Sequence, residues 1–237
     1  GQTAWSGDIE NYTGYQFITG PELAAKFEEH MRRYGIEVKE NEAATELRKK
    51  DKTVLLTTNK GSYTAKTVII ASGKRSRELG VPGEKEFKNK GLTYCATCDG
   101  PLFSGKDVVV VGGGNSALDA ALQLINIAHH VYLVNITAKL NGDPIMQDKL
   151  RQSEKVSIFN NSRVTAIEGD VFVKSIRIEK EKKEEVLAVQ GVFVEIGLIP
   201  NSEFVQGVDK NEQGEIKVNA HNETNVDAIF AAGDVGL

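Results

Sequence analysis

Few cysteines, few histidines and no excess of positive charge distinguish this 237-residue chain. It has two cysteines and four histidines, and its 29 basic residues against 33 acidic ones leave a net charge of −4. Such a chain lacks the basic surface that nucleic-acid binding requires. Two cysteines are also too few to staple a small secreted fold. Zinc usually takes four ligands, so a zinc site at the cysteines would have to recruit scattered histidines, namely His30, His129, His130 and His221.

Long apolar runs are absent as well. None approaches the roughly 20 residues that cross a bilayer. The first residues, Gly1 to Trp5, show neither the basic start nor the apolar run of a signal peptide. We therefore expect no membrane segment and a cytoplasmic location. Apolar residues make up 40% of the chain, enough for the core of one large domain or two modest ones.

Both cysteines belong to one motif, Cys95-Ala96-Thr97-Cys98, which is followed by Asp99. Two thiols at this spacing can close a small disulfide ring. The thiolate is the form that exchanges with other disulfides, and close pairing lowers its pKa. The spacing is typical of a cytosolic redox motif. The pair therefore predicts thiol–disulfide chemistry, with zinc binding as the alternative.

A glycine-rich turn follows closely, with Gly112, Gly114 and Ala117 in the pattern G-x-G-x-x-A. The first glycine permits a tight turn, the second lets the backbone approach a pyrophosphate, and a small third residue allows close helix–strand packing. Amides at the start of the next helix would then face the anion. The pattern predicts a dinucleotide-binding turn, and an ordinary glycine-rich turn is the alternative.

The surroundings of this turn favour the dinucleotide interpretation. Val108–Val111 is a wholly apolar β-branched run, as a buried parallel strand would be. Residues 115–128 have helical composition, and Val131–Val134 predicts the next strand. After that strand, Asn135 stands where an acid would select NAD and is expected to bond a ribose hydroxyl weakly, whereas Lys139 could reach the phosphate of NADP. NADH and NADPH therefore both remain open.

The rest of the chain reads as mixed α/β. Gly20 to Arg33 predicts a helix that Gly35 stops. β-like runs follow at Ile36–Val38, Thr53–Thr57, Tyr63–Thr67, Val68–Ala71, Val156–Phe159, Val164–Ile167, Val171–Ile178 and Val186–Val194. The proline- and glycine-containing segments Leu79–Gly83 and Gly197–Asn201 predict linkers. They divide the chain into residues 1–80, 81–200 and 201–237.

Three ordered motifs carry a family resemblance: Thr93–Gly100, Val111–Ala121 and Phe230–Asp234. They resemble the low-molecular-weight thioredoxin reductases and, equally, the flavoprotein subunit of alkyl hydroperoxide reductase. The likeness runs over essentially the whole chain. Val192–Pro200 and Gly214–Val226 are slightly nearer to the peroxide-reductase flavoprotein.

The resemblance implies an α/β fold with two Rossmann-like domains. A nicotinamide domain, residues 81–200, is inserted into an FAD domain made of residues 1–80 and 201–237. It implies a redox disulfide between Cys95 and Cys98, with Asp99 as the acid that moves protons. The implied cofactor positions are Gly112, Gly114, Asn115, Ser116, Ala117, Ile196 and Gly197 for NADPH or NADH, and Gln2, Asn11, Ala71, Gly73 and Asp234 for FAD.

The corresponding chemistry takes hydride from nicotinamide to flavin and then reduces the disulfide. The new dithiol reduces thioredoxin or a thioredoxin-like protein. Alternatives are a flavoprotein that serves a peroxiredoxin through a disulfide carrier, a ferredoxin-dependent relative, and a redox-inactive nucleotide-binding relative. The resemblance further implies a homodimer when full length, and an inserted domain that swings on the two predicted linkers.

The family's FAD domain begins with a strand and its own glycine-rich turn, and neither occurs at the start of this sequence, at Gly1. Residues Gly233–Leu237 end the sequence before the family's last helix. We therefore expect an internal fragment or an incompletely determined chain, which by itself binds FAD poorly and does not turn over. Residues 81–200 carry a complete core pattern and are expected to fold alone.

Overall fold

A computed structural model describes residues 1–5 and 8–237. The helices are α1 (Gly20–Arg32), α2 (Glu84–Phe87), α3 (Ala96–Asp99), α4 (Asn115–Leu124) and α5 (Pro144–Arg151). The strands are β1 (Asp8–Ile9), β2 (Ile18–Thr19), β3 (Ala44–Lys50), β4 (Thr53–Thr58), β5 (Ser62–Ala65), β6 (Val68–Ile70), β7 (Lys74–Ser76), β8 (Leu92–Thr93), β9 (Asp107–Val111), β10 (His130–Val134), β11 (Val156–Phe159), β12 (Ser162–Gly169), β13 (Val173–Lys180), β14 (Lys183–Ala188), β15 (Gly191–Val194), β16 (Leu198–Pro200) and β17 (Ile229–Ala231). Across the described ranges, no helix is both long and apolar enough to pass through a bilayer.

The chain packs as two compact units. The first unit contains Gly1–Gln2, Ala24–Arg75 and Leu198–Leu237, and the second contains Thr3–Leu23 and Ser76–Gly197. Packing thus groups Thr3–Leu23 with the second unit, whereas the sequence-based limits assign these residues to the first domain. The domain limits 1–80, 81–200 and 201–237 stay a prediction.

The second unit is built on a five-stranded parallel sheet in the order β11-β10-β9-β15-β8. Its central strand explains the uninterrupted valine run. Val108 and Val110 pack with the apolar side of α4, while Val109 and Val111 pack with the antiparallel sheet β12-β13-β14. A strand covered on both faces has no need of polar alternation. The carboxyl edge of this sheet is where both predicted motifs begin.

The first unit has smaller sheets: the antiparallel β3-β4-β5, the parallel pair β17-β6 and the pair β16-β7. Its core gathers Leu47, Val54, Ile70, Ile216 and Ile229. The strand expected at Ile36–Val38 is wrong, because these residues form neither helix nor strand and lie exposed between α1 and β3. β-branched residues alone do not make a strand without a neighbour to pair with.

Candidate redox and nucleotide site

Four strands of the parallel sheet deliver the predicted motifs to one edge. Since parallel strands share a direction, the residues that follow β10, β9, β15 and β8 emerge together. The register pairs are Val134 with Val111, Val194 with Val111, and Phe193 with Thr93. Just past these strands lie Asn135, Gly112, Glu195 and Cys95, which we call the edge row. Gly112 approaches the backbone oxygen of Glu195, and the Glu195 carboxyl accepts the backbone N–H of Ala96, the residue after Cys95.

Cys95 and Cys98 form a disulfide, and their Cα atoms are 5.4 Å apart. Cys95 is the N-cap residue of α3, where its sulfur accepts the backbone N–H of Cys98 at 3.1 Å. Within residues 1–5 and 8–237, no group of three or more His, Cys, Asp or Glu is arranged to hold a metal ion. The two cysteines are therefore joined by a disulfide at the start of α3.

Asp99 is held beside the disulfide through Thr93. The Thr93 hydroxyl donates to the Asp99 carboxylate, and the same oxygen accepts the backbone N–H of Cys95 at 3.2 Å. One short side chain thus links the end of β8, the first cysteine and the acid. This contact keeps a carboxyl group at the end of α3, as the predicted proton-transfer role requires.

The glycines of the turn have different jobs. Gly112 has a φ of +146°, and a Cβ there would lie 2.2 Å from the backbone oxygen of Glu195. It would also lie 2.9 Å from the Cβ of buried Ala117, so only glycine fits. At Gly114, by contrast, a Cβ would meet no atom within 4 Å. Gly112 therefore serves close packing, while Gly114 leaves its outer side open.

The open side faces the start of α4. Gly114 is the N-cap residue and supplies no side-chain cap, so the first amides of the helix have no side-chain acceptor there. Asn115 and Ser116 are exposed in the first turn, although Asn115 Oδ1 accepts the backbone N–H of Asp143 at 2.7 Å. Exposed amides at the positive end of a helix fit a pyrophosphate. These residues would hold the pyrophosphate of a nicotinamide dinucleotide.

Asn135 does not reach toward a ribose, contrary to the expectation of a weak hydroxyl contact. It is 3% exposed, and its amide donates to Thr137 O at 3.0 Å and to Asn160 Oδ1 at 2.9 Å. Its Oδ1 accepts from the hydroxyl of Thr137 at 3.0 Å. Both amide hydrogens are therefore used to shape the loop after β10, and Lys139 remains exposed beyond it.

Glu195 is a residue of this edge that sequence reasoning missed. Burial, opposed by the hydrogen bond from the backbone N–H of Ala96 and aided by the Asp119 carboxylate, raises the pKa of its carboxyl to about 7. Such a group gains or loses its proton near neutral pH. A glutamate at the end of an apolar strand has no distinctive pattern, so only the pairing of β15 with β8 reveals that it lies beside the cysteine motif.

The cysteine motif is also tied to α4 by a chain of side chains. The Thr97 hydroxyl donates to Gln123 Oε1 at 3.0 Å, and Gln123 Nε2 donates to Asp119 at 2.8 Å. The helix that begins at the dinucleotide turn therefore contacts the segment between the two cysteines. Both motifs belong to one hydrogen-bonded region of the second unit.

The first predicted linker, Leu79–Gly83, is anchored rather than loose. The carboxylate of Glu84 is 2% exposed and accepts the backbone N–H groups of Leu79 at 2.7 Å and Gly80 at 2.6 Å. It also accepts the hydroxyl of Tyr94 at 2.9 Å. Burial and this bond raise the pKa of the Tyr94 phenol far above its usual value. The linker is thus connected to the residue that precedes Cys95.

The predicted FAD positions of the first unit gather at another sheet edge. β6 and β17 are parallel, with Ile70 opposite Ala231, so Ala71 and Gly73 emerge beside Asp234. A Cβ at Gly73 would meet no atom within 4 Å. This edge has open space beside Gly73, and like the edge row it follows the carboxyl ends of parallel strands.

The two remaining predicted FAD positions, Gln2 and Asn11, belong to different compact units. Gln2 Nε2 donates to the backbone oxygen of Lys74 at 3.0 Å, which brings it next to Gly73. Asn11 is exposed and belongs to the second unit. Gln2 therefore lies next to Gly73 in the first unit, and the FAD contacts of Gln2, Asn11, Ala71, Gly73 and Asp234 stay a prediction.

Residues 9–236 match the family described as pyridine nucleotide-disulphide oxidoreductase. The chain is 44% identical over 237 residues to a protein of Bacillus subtilis named NADH dehydrogenase, covering 99% of this chain and 47% of that protein. It is 41% identical over 239 residues to an alkyl hydroperoxide reductase subunit of Staphylococcus aureus, again covering 99% and 47%. The chain spans about half the length of the curated relatives it matches.

Solved structures agree with the fold. Thioredoxin reductase of Lactococcus lactis, in the conformation named FR, is 34% identical with a TM-score of 0.74, covering all of this chain and 79% of that one. The T. acidophilum enzyme is 35% identical with a TM-score of 0.72 at the same coverage. These matches confirm the α/β class with Rossmann-like nucleotide-binding domains.

Proposed function

The chain belongs to the pyridine nucleotide-disulphide oxidoreductase family, and we propose that it acts as a flavin-dependent thiol–disulfide oxidoreductase. The Cys95–Cys98 pair passes electrons from NADH or NADPH, through FAD, to the disulfide of thioredoxin or a thioredoxin-like protein. When bound, the nicotinamide supplies hydride and the flavin relays two electrons. The edge row carries this proposal, since it puts the disulfide and the dinucleotide turn on one edge of one sheet.

The chain's own residues account for the second half of the reaction. In the reduced pair, a thiolate attacks the partner's disulfide, and one partner sulfur leaves as a thiolate. The other cysteine of the pair then attacks the mixed disulfide, which restores the Cys95–Cys98 bond and releases the partner as a dithiol. Two electrons move to the partner, and two protons follow them. Asp99, fixed by Thr93, is placed to exchange one of these protons.

For the first half, the turn at Gly112 and Gly114 would hold the pyrophosphate, with Ile196 and Gly197 bordering the same cofactor. Gln2, Asn11, Ala71, Gly73 and Asp234 are the residues that we propose contact FAD. The resemblance favours Cys98 as the sulfur that faces the flavin. Cys95 is then the sulfur that attacks the partner.

A peroxiredoxin-serving flavoprotein is the second candidate. The similarity to the alkyl hydroperoxide reductase subunit of Staphylococcus aureus favours it. It uses the same cysteine pair and differs only in the disulfide protein that receives the electrons. The choice between these candidates is therefore a choice of partner.

A single-turnover transfer assay tests the proposal without requiring flavin. The chain is reduced with dithiothreitol, desalted, and mixed with oxidised thioredoxin or with an oxidised thioredoxin-like carrier of a peroxiredoxin. Alkylated thiols on each protein are then counted by mass. We expect transfer of one dithiol per chain, and a stable mixed disulfide on Cys95 when Cys98 is replaced in Cys98→Ser. The surface variant Glu185→Gln serves as the control.

Absence of partner thiols while Cys95 and Cys98 stay reduced would contradict the proposed chemistry. A second arm adds FAD and either nicotinamide nucleotide without oxygen, and it follows flavin binding and the thiols of the pair. For this chain alone we expect weak flavin binding. Flavin that binds at one per chain and is reduced by the nucleotide, but leaves the pair oxidised, would contradict the cofactor route.

A further inference from the structure

Glu195 occupies a position to which the proposed function gives no role. It follows β15, and its backbone N–H donates to Val111 O at 2.8 Å. Strand β9, which leads to Gly112, pairs with one side of β15, and β8, which leads to Cys95, pairs with the other side. The carboxyl group of Glu195 accepts the backbone N–H of Ala96, which lies between the two cysteines of the disulfide.

The groups around this carboxyl are mostly acidic or neutral. Ala96, the first residue of α3, directs its backbone N–H toward it, and Asp119 contributes negative charge from α4. Asp99 stands at the other end of α3, bonded to the Thr93 hydroxyl. Among the described residues, none of the ion pairs between charged side chains includes Glu195, Asp119 or Asp99. A thiolate formed on the cysteine pair would therefore be opposed by the negative charges of these three carboxylates.

We propose that Glu195 is a positioning residue for the Cys95–Cys98 pair, whose ionised carboxylate suppresses thiolate formation in the reduced pair and whose protonated form permits it. The proposal deepens the proposed function and requires only that the pair alternates between disulfide and dithiol. Glu195 acts through the electrostatic field at Cys95 and through the Ala96 amide.

The chemistry is a balance of one proton. Reduction by an external dithiol breaks the Cys95–Cys98 bond, oxidises that dithiol to a disulfide, and leaves two thiols on the chain. Loss of a proton from one thiol gives the nucleophile, and a carboxylate bonded to the Ala96 N–H opposes that second negative charge. A protonated carboxyl offers no such opposition. Burial sets the pKa of Glu195 at about 7, so the change falls in the neutral range.

The test measures the thiolate directly. The chain is reduced with dithiothreitol, desalted, and alkylated with limiting iodoacetamide between pH 5.5 and 9.5, and the labelling rate of each cysteine is followed by mass. Glu195→Gln keeps an acceptor for the Ala96 N–H but removes the charge. Glu195→Asp retains the charge, and Glu185→Gln removes a distant exposed carboxylate from β14.

We expect the rate profile of Glu195→Gln to move to lower pH by about one unit, with labelling about tenfold faster near pH 7.5. Glu195→Asp and Glu185→Gln should follow the wild-type profile. The wild-type rise should extend over a wider pH range than a single titration, because the thiol pKa changes while Glu195 ionises.

Coincident profiles for wild type and Glu195→Gln would overturn the proposal, and so would an equal shift in Glu185→Gln. If Glu195→Gln does not fold by circular dichroism, the wild-type profile decides alone, and a single-proton titration would then overturn the inference. Failure of the proposed function looks different. In that case the pair is not reduced by dithiothreitol, or is reduced but gives no thiols to any partner, whatever the alkylation profiles show.

Discussion

The same local pattern, a β-branched run followed by a glycine turn, is packed differently in the two units. In the second unit, β9 has strands on both sides, and its valines Val108–Val110 are fully buried. In the first unit, β6 pairs only with β17 among the described strands, and the side chain of Ile69 is 69% exposed. The comparison shows that both runs form strands when a neighbouring strand pairs with them, while the covering layers decide how much stability the strand contributes.

The largest loss of stability is expected when a cavity is created in the core of each unit. Leu124 in the second unit and Leu47 in the first are both fully buried. We expect Leu124→Ala and Leu47→Ala each to destabilise its own unit by about 3 kcal/mol. Hydrogen exchange followed by mass spectrometry should show loss of protection confined to the altered unit. Equal loss in both units for either variant would contradict independent cores.

The two glycines of the turn separate packing from ligand space. Gly112→Ala forces a Cβ against the Glu195 carbonyl at a φ of +146°, so we expect a loss of about 2–3 kcal/mol in the second unit. Gly114→Ala meets no atom, so its stability should change by less than about 0.5 kcal/mol. Its Cβ nevertheless enters the open side of the turn. Calorimetric titration with NADH and NADPH should therefore show affinity at least about tenfold weaker.

A native fold of Gly112→Ala with unchanged melting temperature would show that the close approach to Glu195 is not required. Unaltered nucleotide affinity in Gly114→Ala would remove the turn from the binding site. The two variants therefore test stability and binding separately within one loop.

The stability of the second unit should also depend on the proton of Glu195. Its folded pKa is raised from 4.5 to about 7, so the folded state keeps a proton that the unfolded state releases between these values. Stability therefore falls as pH rises through this window. Compared with Glu195→Gln, wild type should lose about 1–3 kcal/mol between pH 4.5 and 7.5. Urea unfolding at several pH values measures this, and parallel curves would contradict the raised pKa.

The smallest effect is expected at Ile69. Because its side chain already contacts water, Ile69→Thr should change stability by less than about 0.5 kcal/mol. The matched change Ile176→Thr, at a fully buried position of β13, should cost about 2 kcal/mol or more. A large loss at Ile69 would mean that β6 is covered in solution, which would remove the contrast between the two units.

Much of the second unit could be predicted from the sequence. The strand at Val108–Val111, the glycine turn and the strand at Val131–Val134 are confirmed, because each depends on local periodicity and turn chemistry. The helix predicted over residues 115–128 ends earlier, at Leu124. Helix α5 was not predicted, although Asp143 before Pro144 is a typical N-cap pair whose side chain accepts the Ile145 amide at 2.7 Å.

What could not be predicted depends on pairing between distant segments. Glu195 and the cysteine motif are far apart in the chain, and the pairing of β15 with β8 brings the Glu195 carboxyl to the backbone N–H of Ala96. The role of Glu84 is similar, since a glutamate early in a short helix looks like a surface residue until its amide partners are seen. Likewise, Asn135 was expected to contact a ribose because the sequence does not show that its side-chain amide donates to Asn160.

A dinucleotide and the Cys95–Cys98 disulfide would share the edge row, so nucleotide binding and reduction of the disulfide would be thermodynamically linked. A dinucleotide bound at Gly112 would bring phosphate charge to the sheet edge at which Cys95 also lies. By linkage, any factor by which reduction of the pair changes nucleotide affinity is also the factor by which saturating nucleotide changes the reduction equilibrium. A tenfold factor corresponds to a displacement of about 30 mV in the midpoint potential. A dinucleotide bound at this turn would thereby be coupled to reduction of the disulfide across the three neighbouring strands β9, β15 and β8.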